Sequence, residues 1–176
     1  MSGSDTPRLS YIPYERFVAD VQALADRLEG DAWAPDFIVG IGRGGLVPGA
    51  YLSHRTGIPM LSVDYSSKVS GFADELLVKL ANMSIAGQRI LFVDDINDSG
   101  ATLVYLRGSI LDHGGVAENQ RFAVLINNRR SKAQVEYWSR AIDRNVDKDW
   151  FVFPWESVAP SAALVEEALS VPERLA

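Results

Sequence analysis

The spacing of hydrophobic positions changes repeatedly along this chain, and each change marks an element. Phe17, Val18, Val21, Leu24, Ala25 and Leu28 recur at helical spacing, so a first helix is predicted, with Gly30 placed to act as a left-handed cap. FIVGI, from Phe37 to Ile41, is instead a short continuous apolar run rich in β-branched residues and reads as a buried strand; glycines follow it, and LVPGAYLSHRTG then reads as a helix ending at Gly57. MLSVDY (Met60 to Tyr65), ILFVD and RFAVLI (Arg121 to Ile126) predict further strands, and TLVYLRGSILDHGG predicts a helix stopped by Gly114 and Gly115. Continuous apolar strands separated by helices imply an α/β fold with a mainly parallel sheet covered on both faces. Two segments break this rhythm. SSKVSGF, from Ser66 to Phe72, is small and polar and reads as an exposed loop able to move, while EYWSRAIDRNVDKDWFVFPWE, from Glu136 to Glu156, is aromatic-rich without a helical period and reads as a small appendage over the sheet edge.

Composition narrows the picture. A chain of 176 residues with 47% hydrophobic content and no low-complexity tract is expected to be one domain, 1–176, with a core of its own. The net charge of −6 and pI near 4.9 leave no electrostatic footprint for nucleic acid or an anionic membrane, so neither is expected as a partner. The absence of cysteine excludes disulfides and thiolate metal sites. No apolar run approaches the roughly 20 residues of a membrane span, and Met1 to Leu9 lacks a signal-peptide core, so a cytoplasmic location is expected.

Open parallel sheets bind ligands beyond the carboxyl ends of their strands, and two polar clusters stand at such ends. VGIGRGGLVPG contains Gly40, Gly42 and Gly45, a G-x-G-x-x-G between strand and helix, and Asp64 ends the next strand, which together admit a dinucleotide-binding reading. The glycines equally allow a tight strand-to-helix turn. In the second cluster, VDDINDSGATL, Asp94 and Asp95 end a strand, and Asp98, Ser99, Gly100, Ala101 and Thr102 turn into a helix N-terminus. Amides at such a turn, the helix dipole and the hydroxyls of Ser99 and Thr102 favour a phosphate. The paired carboxylates would repel that phosphate, but they suit sugar hydroxyls and Mg²⁺. A sugar phosphate satisfies both halves.

ILFVDDINDSGATL closely resembles the phosphoribosyl pyrophosphate (PRPP) motif of type I phosphoribosyltransferases. GRGGLVPGAYLSHRTGIP resembles the pyrophosphate loop of the bacterial xanthine-guanine enzymes in that family, and DWFVFPWE their base-binding segment. The resemblance implies the type I fold, with a hood over the strand C-terminal ends to which residues 137–156 contribute. It implies that Asp94 and Asp95 contact the ribose hydroxyls and the metal, that Asp98, Ser99, Gly100, Ala101 and Thr102 wrap the 5-phosphate, and that Asp98 assists proton movement at N7 of the base. Gly42, Arg43 and Gly44 would hold the pyrophosphate, with a strained cis peptide at Gly42–Arg43 and Lys68 of the mobile loop within reach. The implied reaction is transfer of the phosphoribosyl group from PRPP to a nucleobase, with Mg²⁺ and release of pyrophosphate. A homo-oligomer, dimer or tetramer, is also implied.

The base end departs from the family pattern. Trp150 matches the aromatic that stacks on purines, and the Phe151 backbone would face the ring edge. Where the purine enzymes carry a lysine after the strand, VLINNRRSK places Asn127 and Asn128, which leaves Asn128 or Lys132 to read a 6-oxo group. The Ser-Tyr element of 6-oxopurine enzymes is replaced by Ser67-Lys68. A 6-oxopurine acceptor is the expectation; a different base, a regulatory PRPP-binding protein and an NAD-binding enzyme are the alternatives. His54 and His113 are single residues without metal-ligand spacing, Tyr105 and Leu106 read as core, and Trp138 as part of the hood or of a subunit contact.

Overall fold

Neighbouring apolar residues of one strand serve opposite faces of a single sheet. The computed structural model describes residues 6–63 and 74–171. It runs β1 (Leu9–Tyr11), α1 (Tyr14–Glu29), β2 (Phe37–Ile41), α2 (Gly42–Thr56), β3 (Met60–Val63), α3 (Asp74–Ile85), β4 (Ile90–Asn97), α4 (Ala101–Asp112), β5 (Gln120–Asn128), β6 (Tyr137–Ile142), β7 (Trp150–Val152) and α5 (Ser161–Leu169). In β4, Leu91 and Val93 join Phe17, Val21 and Leu24 of α1 in one core cluster, whereas Ile90 and Phe92 join Leu77, Leu80 and Leu106 of α3 and α4 in the other. The period-2 pleat thus divides a continuous apolar run between two helical layers. Phe92 stacks on Phe122 with centroids 5.0 Å apart, and both rings are fully buried. Truncating either to alanine would cost about 3–5 kcal/mol.

The main sheet has the order β3-β2-β4-β5-β6, and every neighbouring pair is parallel. From β2 the chain moves outward to β3 and then returns to place β4 on the other side, so the strand order reverses between β2 and β4. A crevice opens at such a switch point. The short β1 pairs in parallel with β7, Leu9 against Trp150 through Tyr11 against Val152, as a separate two-stranded hood.

Several sequence expectations change here. The aromatic tail divides: Tyr137–Ile142 pairs with β5 as the edge strand of the main sheet, and Trp150–Val152 goes to the hood. Gly30 is no left-handed cap. It sits at φ −83°, and Asp31 N–H closes a last right-handed turn on Leu28 O, so no positive φ is required. Gly57 does cap α2 in the left-handed region, at φ 74°. Tyr105 lies on the outer face of α4, 44% exposed, because Leu103, Leu106 and Ile110 form that helix's buried stripe. Trp138 packs partly buried on β6, with the Arg27 guanidinium 5.5 Å from its ring centre. Asp64, Lys68 and the SSKVSGF loop lie outside the described residues.

Candidate active site

Helix α2 starts one residue after β2, so the glycines expected to form a loop are its first turn. Gly42 makes the turn with φ 52°, and the Gly42–Arg43 peptide is trans, not cis: the positive φ that glycine allows reverses the chain without a cis bond. Close packing then fixes Gly44 and Gly45. A Cβ at Gly45 would lie 2.0 Å from Val93 O, and one at Gly44 would lie 2.6 Å from Asp95 Oδ2 and 3.0 Å from Asp94 Oδ1. The bare backbone therefore lets the first turn of α2 press against the end of β4, beside both carboxylates. Ile41 gives the helix no side-chain cap, and the first turn holds no acidic residue, so its N–H groups remain available to an anion.

Helix α4 offers a second such end. Gly100, at φ 85°, caps it without a side-chain hydrogen bond, and again no acid occupies the first turn. Ala101 N–H donates to Ser99 Oγ at 3.2 Å, and Lys132 N–H donates to Ser99 O at 3.1 Å. Residues Asn97 to Leu103 here line a recess of about 110 Å³, which includes Gly100 and Ala101.

Asp94 and Asp95 stand between the two helix ends. Asp95 N–H donates to Asp94 Oδ1 at 3.0 Å, and Ile96 N–H to Asp95 Oδ1 at 2.6 Å. Burial pushes the Asp94 carboxyl up to about 7 against these amide bonds. Burial raises Asp95 well above its ordinary range, and the charges of Asp94 and Glu156 raise it further. Glu156 is itself raised by burial although it accepts Phe153 N–H at 2.9 Å. No cation among the described residues lowers either member of the pair.

A cleft of about 730 Å³ joins these features. Gly42, Arg43 and Gly44, the carboxylates Asp94 and Asp95, then Asp98, Ser99 and Thr102, and the aromatic residues Trp150 and Phe151 all line it. Trp155, Leu164 and Val171 add an apolar wall, so α5, which no sequence motif announced, covers part of the cleft.

Two candidates for the base end stand elsewhere. Asn128 is buried, and its amide is committed to the backbone: Nδ2 donates to Asp98 O at 3.1 Å, while Oδ1 accepts Arg130 N–H at 3.2 Å and Arg144 N–H at 3.3 Å. It braces the backbone turn at Asp98 and is not among the residues that line the cleft. Lys132 contributes its backbone N–H, but its side chain is exposed and does not line the cleft. A residue that sequence reasoning missed takes the interior position. Arg144, 3% exposed, clasps the Asp98 carboxylate with Nε at 2.9 and 3.1 Å and Nη2 at 2.7 Å. Its Nη1 donates to Asp147 O at 3.3 Å and Asp149 O at 2.6 Å. The signal was faint, a lone arginine among the aspartates of DRNVDKD.

Comparison with known proteins agrees with this architecture. The model of the phosphoribosyl transferase domain matches residues 11–159. The xanthine-guanine phosphoribosyltransferase of Roseobacter denitrificans is 30% identical over 173 residues, covering 89% of this chain and 93% of that protein. A purine phosphoribosyltransferase from Pyrococcus horikoshii superposes with a TM-score of 0.64 at 25% identity, over 86% of this chain and 97% of that one. A hypothetical protein from Neisseria gonorrhoeae, solved with bound ppGpp, shares the fold with a TM-score of 0.67 at 19% identity, over 95% and 97% of the two chains. The chain belongs to the phosphoribosyl transferase domain family, and its parallel sheet flanked by helices is the fold of those neighbours.

Proposed function

We propose that this cleft transfers a phosphoribosyl group from PRPP to a 6-oxopurine base and releases pyrophosphate. One observation carries the reading: two helix N-termini with no acid in the first turn and no side-chain cap from the N-cap residue line one cleft with a carboxylate pair, the arrangement a ligand with two separate anionic groups and a polyol between them requires. The α4 turn, with Ser99, Gly100, Ala101 and Thr102, takes the 5-phosphate. The amides of Gly42 to Gly44 and the exposed Arg43 guanidinium take the pyrophosphate. Asp94 and Asp95 accept hydrogen bonds from the ribose hydroxyls. Their hard oxygen donors, raised chiefly by burial, also fit Mg²⁺, with substrate oxygens and water completing the shell. Bound there, the ion would neutralise charge on the leaving pyrophosphate.

The base stacks on Trp150, with the Phe151 backbone at its edge. Its N9 lone pair attacks C1′ as the bond from C1′ to the pyrophosphate oxygen breaks, and that electron pair leaves with pyrophosphate. The proton displaced from N7 passes to the Asp98 carboxylate. Positioning and the exclusion of water supply most of the rate, because free PRPP would otherwise hydrolyse. The expected setting is the cytoplasm, and the expected state is a homo-oligomer. Exposed Tyr14, Leu46 and Tyr51 on α1 and α2 support that state, which light scattering measures directly. No helix of the described residues is long and apolar enough to cross a membrane.

The test is pyrophosphate release from PRPP with guanine, hypoxanthine, xanthine, adenine, uracil and orotate in turn. Release with at least one 6-oxopurine is expected, stopped by excess chelator and restored by Mg²⁺. Silence with all three 6-oxopurines refutes the reading.

A further inference from the structure

The cleft carries an ion pair in which Asp98 belongs to the family motif but its partner Arg144 has no assigned role. Besides Arg43, the cation that lines the cleft among the described residues is Arg144, in a lining that also includes Trp150 and Phe151. Its guanidinium stands 5.4 Å from the centre of the Phe151 ring, with Asp98 as its ion-pair partner. A guanidinium has five N–H groups. The described hydrogen bonds take Nε–H, both on Nη1 and one on Nη2, which leaves one N–H on Nη2. Asp98 is 15% exposed and still has acceptor capacity on Oδ1. An acceptor and a donor therefore stand side by side where the aromatic end of the cleft would hold a ring.

We infer that Arg144, through its remaining Nη2–H and with Asp98 at its side, is the residue that selects a 6-oxopurine. The inference rests on the transfer reading for the position of the ring. A base that attacks through N9 must carry its proton on N7, so a 6-oxopurine presents a donor at N7 and an acceptor at O6 on one edge. The carboxylate accepts the first, and the guanidinium donates to the second. Adenine presents an amino group at the 6 position, which sets donor against donor and leaves the guanidinium N–H buried and unpaired. Asn128 does not line the cleft, and its amide bonds Asp98 O and the N–H groups of Arg130 and Arg144. Those bonds hold the loop that carries Arg144. The lysine expected after β5 is thus replaced in function by an arginine that reaches the same edge from the β6–β7 loop.

Equilibrium binding separates this inference from the transfer reading. The affinities of inosine 5′-monophosphate, purine riboside 5′-monophosphate (no 6-substituent) and adenosine 5′-monophosphate are measured by calorimetry on the whole protein and on Arg144→Met and Arg144→Lys. Wild type should favour the 6-oxo nucleotide over both others on the order of 100-fold. Arg144→Met should bring the three within about threefold while PRPP binding is kept, and Arg144→Lys, which retains a donor, should fall between. Equal affinities in wild type, or an unchanged preference in Arg144→Met, overturn the inference. If Arg144→Met does not fold, Arg144→Lys decides, since an unaltered preference there overturns it and a reduced one supports it. A protein that releases no pyrophosphate with any base yet shows the Arg144-dependent preference loses the transfer reading and keeps this one.

Discussion

The two parts of the cleft, the turns proposed to take phosphate and the aromatic part proposed to take a base, present their polar groups by different means. At the turns these groups are backbone amides of α2 and α4, presented by glycines at which a Cβ would clash or the backbone needs a positive φ. At the aromatic part they are side chains held by other groups, Arg144 on Asp98 with Asn128 on the backbone of both. Backbone recognition restricts the residue type at each position in a contiguous stretch. Side-chain recognition restricts a spatial arrangement that distant residues can supply in many ways. The first kind leaves a motif, and the second need not.

The sharpest way to break that contrast is to remove charge from the middle of the cleft. Asp94→Asn together with Asp95→Asn should lower pyrophosphate release on the order of 1,000-fold or more, because metal and ribose lose their acceptors at once. The fold should persist, since both carboxyls are raised by burial and asparagine relieves that penalty. Circular dichroism and thermal melts check the fold, and coupled pyrophosphate assays the rate. Near-normal turnover would mean that the pair does not serve the ligand.

That contrast also decides how much was legible in advance. The strand at Phe37–Ile41, the strand opening with ILFVD, the α4 turn and the acidic pair could be read because each depends on local sequence, namely apolar runs, glycine and adjacent aspartates; that β4 continues past the acidic pair to Asn97 could not, since Asp94, Asp95 and Asn97 break the apolar run. The start of α2 was misplaced because glycines read as loop, yet here they allow a helix turn to touch β4. Residues Tyr137–Ile142 escaped because an edge strand with Ser139 and Arg140 lacks the apolar continuity of β4 and β5. Arg140 is there to pair with Asp20 of α1, at 3.5 Å, a contact 120 residues apart in sequence. Arg144 was invisible for the same reason, since its partner Asp98 lies on the far side of β5 and β6 in the chain.

A smaller effect tests the base end directly. Asn128→Lys would restore the family's lysine, but the buried amide it removes serves three backbone groups, and the new ammonium would sit beside buried Arg144. Unpaired backbone groups and a like charge should cost roughly 3 kcal/mol. In a chain of this length that lowers the melting temperature by roughly 6–12 °C. Preference among purines should not sharpen. A stable Asn128→Lys protein with stronger selection of guanine would show that position 128 can face the base after all.

The smallest effect concerns pH, and its sign follows from the acidic pair. Asp94 has a folded value of about 7 against an ordinary 3.8, so between these limits the folded protein binds more protons than the unfolded one. Stability must then fall as pH rises through that window, and the raised Asp95 and Glu156 act in the same direction. Asp31 and Asp143 are held low, Asp31 chiefly by Trp33 N–H and Asp143 chiefly by Arg130, so they oppose this trend only near and below their ordinary range. The ligand-free protein should therefore melt roughly 5 °C lower at pH 7.5 than at pH 5. Asp94→Asn with Asp95→Asn should reduce the slope, because two of the three raised carboxyls are gone and only Glu156 remains. PRPP with Mg²⁺ should also flatten it in the wild type, by supplying the cation that the pair lacks. A slope unchanged in the double variant would place the titration elsewhere in the molecule and remove the electrostatic tension attributed to the middle of the cleft.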